Sequence, residues 1–178
     1  NVAVAAHPEV DYVTVEREHN GSIEKLILAK NLVEKVFKDE EVKVVDTFKG
    51  KKLKGMKYKP LFTFVPLDKP AHFVVLGDFV TTEDGSGLVH QAPAFGAEDM
   101  EMAKLYDLPV LLTVQADGTF IPEITPWRGV FVKDADPQIT QELEARGLMF
   151  RAEKMTHTYP FCWRCHTPLL YYARDSWY

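Results

Sequence analysis

Two stretches of this sequence carry side chains whose types and spacing could do chemistry. The first is "GLVHQAPAFGAEDM", residues 87–100. Leu88 and Val89 anchor an apolar run that delivers His90 to its rim, and Pro93, which cannot donate to a ladder, should end the strand near it. Gly96 permits a tight turn, so Glu98 and Asp99 fall in the first turn of the helix expected next. There the free N–H groups and the positive dipole end favour an ionised carboxylate by roughly 0.3–1 kcal/mol. A carboxylate fixed in that place, facing an imidazole across a concave turn, can hold a small cation such as an ammonium group. The plainer reading is that the acid only balances the helix dipole and the histidine is inert.

The second stretch is "HTYPFCWRCHTP", residues 157–168. Cys162 and Cys165 have the spacing of half a tetrahedral zinc site, and a closed site needs four ligands. His157 or His166, or a second cysteine pair outside this chain, would have to complete it. Cys162-Trp-Arg-Cys165-His166 also matches a c-type haem attachment pattern, and a redox dithiol or two ordinary thiols remain alternatives. No serine or cysteine sits in a nucleophile elbow, and no Gly-rich phosphate loop or His-x-x-x-His zinc pair occurs. With no covalent nucleophile nominated, hydrolysis here would use water as the attacker.

The elements that must position these residues are partly legible. Residues 11–17 alternate like a half-buried strand. Residues 25–40 begin strand-like and pass into helical spacing at Leu32, Val36 and Phe37. Residues 41–48 and 72–80 are β-rich, and "PVLLTV" (109–114) reads as a short buried strand. A helix is expected from Gly96 to Leu108, stopped by Pro109. The clearest helix is "DPQITQELEARG", with Asp136 suited to the N-cap, Pro137 to the first helical position and Gly147 just past the end. Its core face is expected to carry Ile139 and Leu143, followed by Leu148. Six lysines fall within residues 49–59. They could track an RNA backbone, but they more readily suit the solvated face of an edge strand. The strand–helix order lacks a βαβ rhythm, which favours α+β with a mixed or antiparallel sheet.

Bulk properties narrow the class. The chain has 178 residues, 46% apolar and 26% charged, enough for one full core or two small ones. No apolar run reaches the length of a membrane span, so no membrane partner is expected. No secretory signal is legible, and two cysteines do not make a disulfide scaffold, so a cytoplasmic, reducing compartment is expected. A net charge of −5 argues against a generic nucleic-acid coat while leaving room for a local basic strip. Asn1 leads straight into a strand-like run and the last ten residues are rich in Leu, Tyr and Trp, so the chain reads as a piece of a longer protein.

These residues match a known pattern. "DGSGLVHQAPAFGAEDMEMAKLYDLPV" closely resembles the editing-domain (connective peptide 1) signature of isoleucyl-tRNA synthetases, class I aminoacyl-tRNA synthetases. "HTYPFCWRCHTPLLYYARDSW" resembles the segment leading from that insertion back to the synthetase core. "NVAVAAHPEVDYVTVE" and "GKKLKGMKYKPLF" are similar to earlier parts of the insertion, so the resemblance covers essentially the whole chain. The valyl and leucyl relatives usually carry Lys or Met in place of His90 and His-Asp in place of Phe95-Gly96. The combination of His90, Phe95, Gly96 and Asp99 therefore resembles the isoleucyl branch.

The resemblance implies an α+β fold with a β-barrel-like core of mixed or antiparallel strands and peripheral helices. It implies an editing domain over 1–156 and a connecting segment over 157–178. The implied activity is hydrolysis of valyl-tRNA(Ile), with valyl-adenylate as an alternative second substrate, by water attack on the aminoacyl ester, with isoleucine excluded by size. Asp99 would bind the α-ammonium, His90 would orient substrate and gauge its size, and Ala94 and Phe95 would be walls. Editing needs no cofactor. Zn²⁺ at Cys162 and Cys165 would depend on partners outside the chain, while ATP and Mg²⁺ belong to the synthetase core, whose signatures this chain lacks. The implied partners are the tRNA(Ile) acceptor end, valine as the misactivated substrate and the rest of the synthetase.

Departures from the pattern also matter. Ser86 stands where relatives usually have Thr, and the Thr-rich strand of the same pocket normally lies before Asn1; "TPW" at 125–127 is not that motif. The alternative reading is therefore a module that binds the aminoacyl-adenosine or the tRNA acceptor end without turnover. A zinc-dependent RNA-binding piece using Cys162, Cys165 and the lysines is a third.

Overall fold

A computed structural model of the chain describes residues 1–38, 40–153 and 158–174. The alternating run becomes strand β2 (Asp11–His19), the middle of an antiparallel sheet with β3 (Ser22–Ala29) and β4 (Lys43–Lys49). Tyr12, Val13 and Val15 are fully buried and meet Leu28, Leu32 and Phe37 in one core. Leu32 comes from a 3₁₀ turn and Phe37 from the short helix α1 (Val33–Phe37), as the change of spacing in that stretch predicts. Arg17 is also buried, but paired. It contacts Glu24 at 2.8 Å and Glu40 at 2.9 Å, and its guanidinium lies over the Phe150 ring.

The second sheet has β1 (Ala3–Ala6) in the middle, parallel to β5 (Phe73–Leu76) and antiparallel to β6 (Leu88–Gln91). Alanine is a poor strand former, but small side chains let a helix approach closely. Met102 and Ala103 of helix α2 (Ala97–Tyr106) pack against Ala3, Ala5 and Val75. Tyr12 ties the two sheets together. Its hydroxyl accepts from the His7 N–H at 3.0 Å and donates to the Gly87 carbonyl at 2.6 Å. Gly87 has φ +72°, and a Cβ there would lie 2.5 Å from the Ala29 Cβ, so the joint needs glycine twice over.

The barrel-like core is not what forms. Among the described residues neither sheet curls or closes, and β3, β4, β5 and β6 remain edges. The α+β class stands, with one mixed and one antiparallel sheet. Closure needs continuous ladders, and the intervening chain makes only isolated bridges, such as Lys57 with Phe73 and Val114 with Phe120. Pro60, Pro66, Pro70, Pro109, Pro122 and Pro126 interrupt these segments, and each removes a backbone donor.

The expected strand over 109–114 is part of this correction. Val110 and Leu112 face solvent while Val114, which would share their face in a strand, is buried, so the run neither keeps a strand's alternation nor finds a partner strand. These irregular segments build a third core instead, in which Trp127 meets Phe62 and Phe64 edge-on at 5.3 and 5.8 Å. Helix α3 (Asp136–Ala145) adds Ile139 to it. Asp136 opens that helix one position inside the cap, which Ala135 occupies, and makes no capping bond. Leu148, expected to face the core, is exposed. No helix of the described residues is long and apolar enough to cross a membrane.

Candidate functional site

Strand β6 ends at Gln91, and Pro93–Phe95 form a 3₁₀ turn that leads through Gly96 into α2. Pro93 is what stops the ladder, as its missing N–H requires. Glu98 and Asp99 both fall in the first turn of α2. Asp99 turns back. Its Oδ2 accepts the Ala92 N–H at 3.0 Å, so the carboxylate is held by the backbone at the strand's end. A Cβ on Gly96 would lie 2.9 Å from that same oxygen, so a side chain there would push the Asp99 carboxylate from its place. The other carboxylate oxygen, Oδ1, has no hydrogen-bond partner among the described residues. Asp99 is therefore a partly buried anion, fixed by one oxygen and open at the other.

His90 is exposed and pairs with Val4 across the sheet, while Gln91 pairs with Ala3. Successive residues of a strand point to opposite faces, and α2 covers the face of Ala3 and Ala5. The imidazole thus leaves β6 on the face away from the helix that carries Asp99. The structure brings the two to opposite ends of one short turn, without a hydrogen bond or ion pair between them.

Ala94 is buried and Phe95 half-buried. Ala94, Gly96 and Met100 line a hollow of about 270 Å³ whose far side is Tyr172 and Ala173. Phe95 also borders a neighbouring hollow of about 400 Å³, beside Phe120 and Tyr171. Ser86 lies elsewhere, on a hollow of about 410 Å³ between β3 and α1, and its carbonyl accepts the Ala29 N–H at 2.8 Å.

Gln91 was not among the residues singled out from the sequence. It is fully buried; its Nε2 donates to the His90 carbonyl at 3.1 Å, and its Oε1 has no partner among the described residues. The only signal for it was an amide two residues after Val89, on the same strand face.

Cys162 and Cys165 sit in a small hairpin of the C-terminal segment. The Cys162 N–H donates to Thr167, and the His166 N–H donates to Cys162, both at 2.9 Å. Both thiols are free, and Cys165 is exposed. The Thr167 hydroxyl, 3.2 Å from Cys165 Sγ, leads the effects that pull this thiol down to about 7, followed by the Thr167 backbone and Cys162. No third His, Cys, Asp or Glu joins the pair among the described residues, and His157 lies outside them. Two thiolates in a knuckle suit zinc chemically but leave its tetrahedron half filled.

The lysine run divides. Lys49 pairs with Asp11 and Lys52 with Asp46, along the β4 edge and the 3₁₀ turn that follows it. That is the solvated edge the sequence favoured.

The fold and the turn together define a class. The family model described as leucyl-tRNA synthetase, editing domain, matches residues 6–150, and the chain belongs to that editing-domain family. Within it, the chain is similar to isoleucine–tRNA ligases, with 51% identity over 178 residues to that of Clostridium novyi (strain NT). It is 51% identical to that of Clostridium acetobutylicum over 178 residues and 45% identical over 188 to that of Pyrococcus horikoshii. All of this chain is covered in each case, and it spans 17% of the length of these relatives. At the level of fold, it resembles the crystal structure titled GlLeuRS-CP1, with TM-score 0.64 and 13% identity, covering 86% of this chain and 79% of that one.

Proposed function

We propose that this chain is the hydrolytic editing domain of an isoleucine–tRNA ligase and deacylates valyl-tRNA(Ile) through the turn between β6 and α2. The observation that carries the reading is the Asp99 carboxylate, pinned through Oδ2 to the Ala92 N–H with Oδ1 open. That arrangement suits a substrate α-ammonium, since a charge-assisted hydrogen bond to a preset carboxylate is stronger than a neutral one. His90, exposed at the other end of the turn, orients the aminoacyl group and limits its size, with Ala94 and Phe95 as walls. A water attacks the ester carbonyl and the ribose hydroxyl of the tRNA terminus leaves. The need for such a site follows from energetics. One methylene separates valine from isoleucine and yields only about 1–3 kcal/mol of discrimination, a general magnitude for which isoleucyl-tRNA synthetase is itself the standard example.

The acceptor end of tRNA(Ile) and the remainder of the ligase are the partners this reading requires. Residues 1–156 would form the editing unit and 157–178 the connection to the synthetase core. Cys162 and Cys165 would supply two of four zinc donors, the other two coming from outside this chain. Deacylation of valyl-tRNA(Ile), measured beside the isoleucyl ester, is the direct test. Selective valyl hydrolysis supports the proposal. Tight binding of a non-hydrolysable valyl-adenosine with no turnover in the full-length ligase would instead make this a binding module.

A further inference from the structure

The turn proposed to gauge substrate size does not stand alone. Its two wall residues are held by a segment almost eighty positions later in the chain. The Ala173 N–H donates to the Ala94 carbonyl at 2.7 Å, a backbone bond to a buried residue. One residue earlier, the Tyr172 ring meets Phe95 at 6.2 Å between centroids and 64° between planes, the tilted edge-to-face arrangement that aromatic pairs favour. Tyr172 is 37% exposed and its neighbour Tyr171 77%, so the strap turns one tyrosine onto the wall and the other to solvent. The two contacts fall on successive strap residues and on successive turn residues. They fix both the backbone and the side chain of the wall.

We infer that Tyr171–Ala173 is a strap that sets the Ala94–Phe95 wall, and that Tyr172 is a positioning residue for size discrimination; this rests on the editing reading above. The physical reason is that a 3₁₀ turn of three residues has little internal rigidity. A pocket that must sense one methylene requires walls held by surrounding packing. Asp99 holds the turn from the α2 side through Ala92, and the strap holds it from the other. Because the strap belongs to the segment that follows Cys162 and Cys165, displacement of that segment would reach the wall directly.

The experiment compares Tyr172→Ala, Tyr172→Phe and Ala173→Pro in the full-length ligase that carries this chain, measuring kcat and KM for valyl- and isoleucyl-tRNA(Ile) deacylation. Tyr172→Ala should lower the valyl-over-isoleucyl preference about tenfold, chiefly by admitting the isoleucyl ester, with valyl kcat within about threefold of wild type. Tyr172→Phe keeps the ring and should restore the preference. Ala173→Pro removes the donor to Ala94 and should act in the same direction as Tyr172→Ala. Amide hydrogen exchange at Ala173 reads the strap without reference to catalysis: it should be protected in wild type and faster in Tyr172→Ala. Wild-type selectivity in both Tyr172→Ala and Ala173→Pro would overturn the strap while leaving the editing reading intact. A wild-type ligase without any valyl deacylation would overturn both, and an unprotected Ala173 amide would overturn the strap alone.

Discussion

The β6–α2 turn and the Cys162–Cys165 hairpin were the two places where the sequence promised chemistry, and they are built in opposite ways. The turn is enclosed by tertiary structure: β1 lies beside it, α2 follows it directly, and Asp99 and Ala173 fix its backbone. The hairpin is held by its own short-range bonds; Cys165 and Trp163 are exposed and Cys162 is half-buried. A site meant to measure a substrate benefits from the first arrangement, since rigid surroundings keep a cavity's dimensions. A site that shares ligands with another part of a protein needs the second, because its open side is where those ligands must come. Residue types alone made the two look equally functional; only their surroundings separate them.

The sharpest way to break this contrast is Asp99→Asn. The amide oxygen can still accept from Ala92, so the fold should hold, but the charge on the open side is lost. Valyl deacylation should fall about a hundredfold, as expected when a hydrogen bond to a charged group worth about 1.5–3 kcal/mol is removed. Unchanged kcat/KM would detach Asp99 from the site. Gly96→Ala comes next. Its Cβ would press on Asp99 Oδ2 and loosen the bond to the Ala92 N–H, which should cost about 1 kcal/mol, read as a lower denaturation midpoint. A midpoint equal to wild type would mean that the turn has slack.

His90→Ala should leave stability within about 0.5 kcal/mol, since the side chain is exposed. Its preference for the valyl over the isoleucyl ester should drop about tenfold. Retained preference in deacylation assays would return the size gauge to Ala94 and Phe95 alone.

The smallest effect belongs to the hairpin. With the Cys165 thiol pulled down to about 7, its alkylation should rise through half its maximum near neutral pH and fall away as acid protonates the thiolate. Thr167→Val removes the leading cause and should move that midpoint upward, with no change in the melting of the enclosed turn. An unmoved midpoint in pH-dependent alkylation would show that the hydroxyl does not act on this sulfur.

Much of the turn was legible in the sequence because its causes are local. Pro93 removes the donor that the ladder would need next, and Glu98 and Asp99 fall in the first turn of the helix that follows, whereas Gly96, expected to free a tight turn, has extended backbone that any residue could adopt. The hydrophobic spacing around Leu32, Val36 and Phe37 likewise shows where a strand gives way to a helix. That the sheets stay open, against the barrel-like core expected, was not legible. Short apolar runs such as 109–114 suggest an extended chain but not whether a partner lies beside it, and the prolines that deny one are spread over distant segments. His90 and Asp99 show the same limit within a single motif. Spacing brings them to one turn, while the pairing of His90 with Val4 and the seat of α2 on Ala3 and Ala5 send their side chains from different faces.

The sequence by itself determined the local chemistry of this protein: where strands stop, where the carboxylate meets the helix dipole, and which two thiols share a hairpin. It also carries the identity of the editing-domain family, written in the run from Gly85 to Asp99. Tertiary structure alone decided that the sheets stay open, that Gln91 is buried beside His90, and that Tyr172 and Ala173 reach back to Phe95 and Ala94. The reason is range. Backbone preferences and helix-terminal electrostatics act over a few residues and are readable from neighbours, whereas contacts between residues far apart in sequence depend on how every element between them packs.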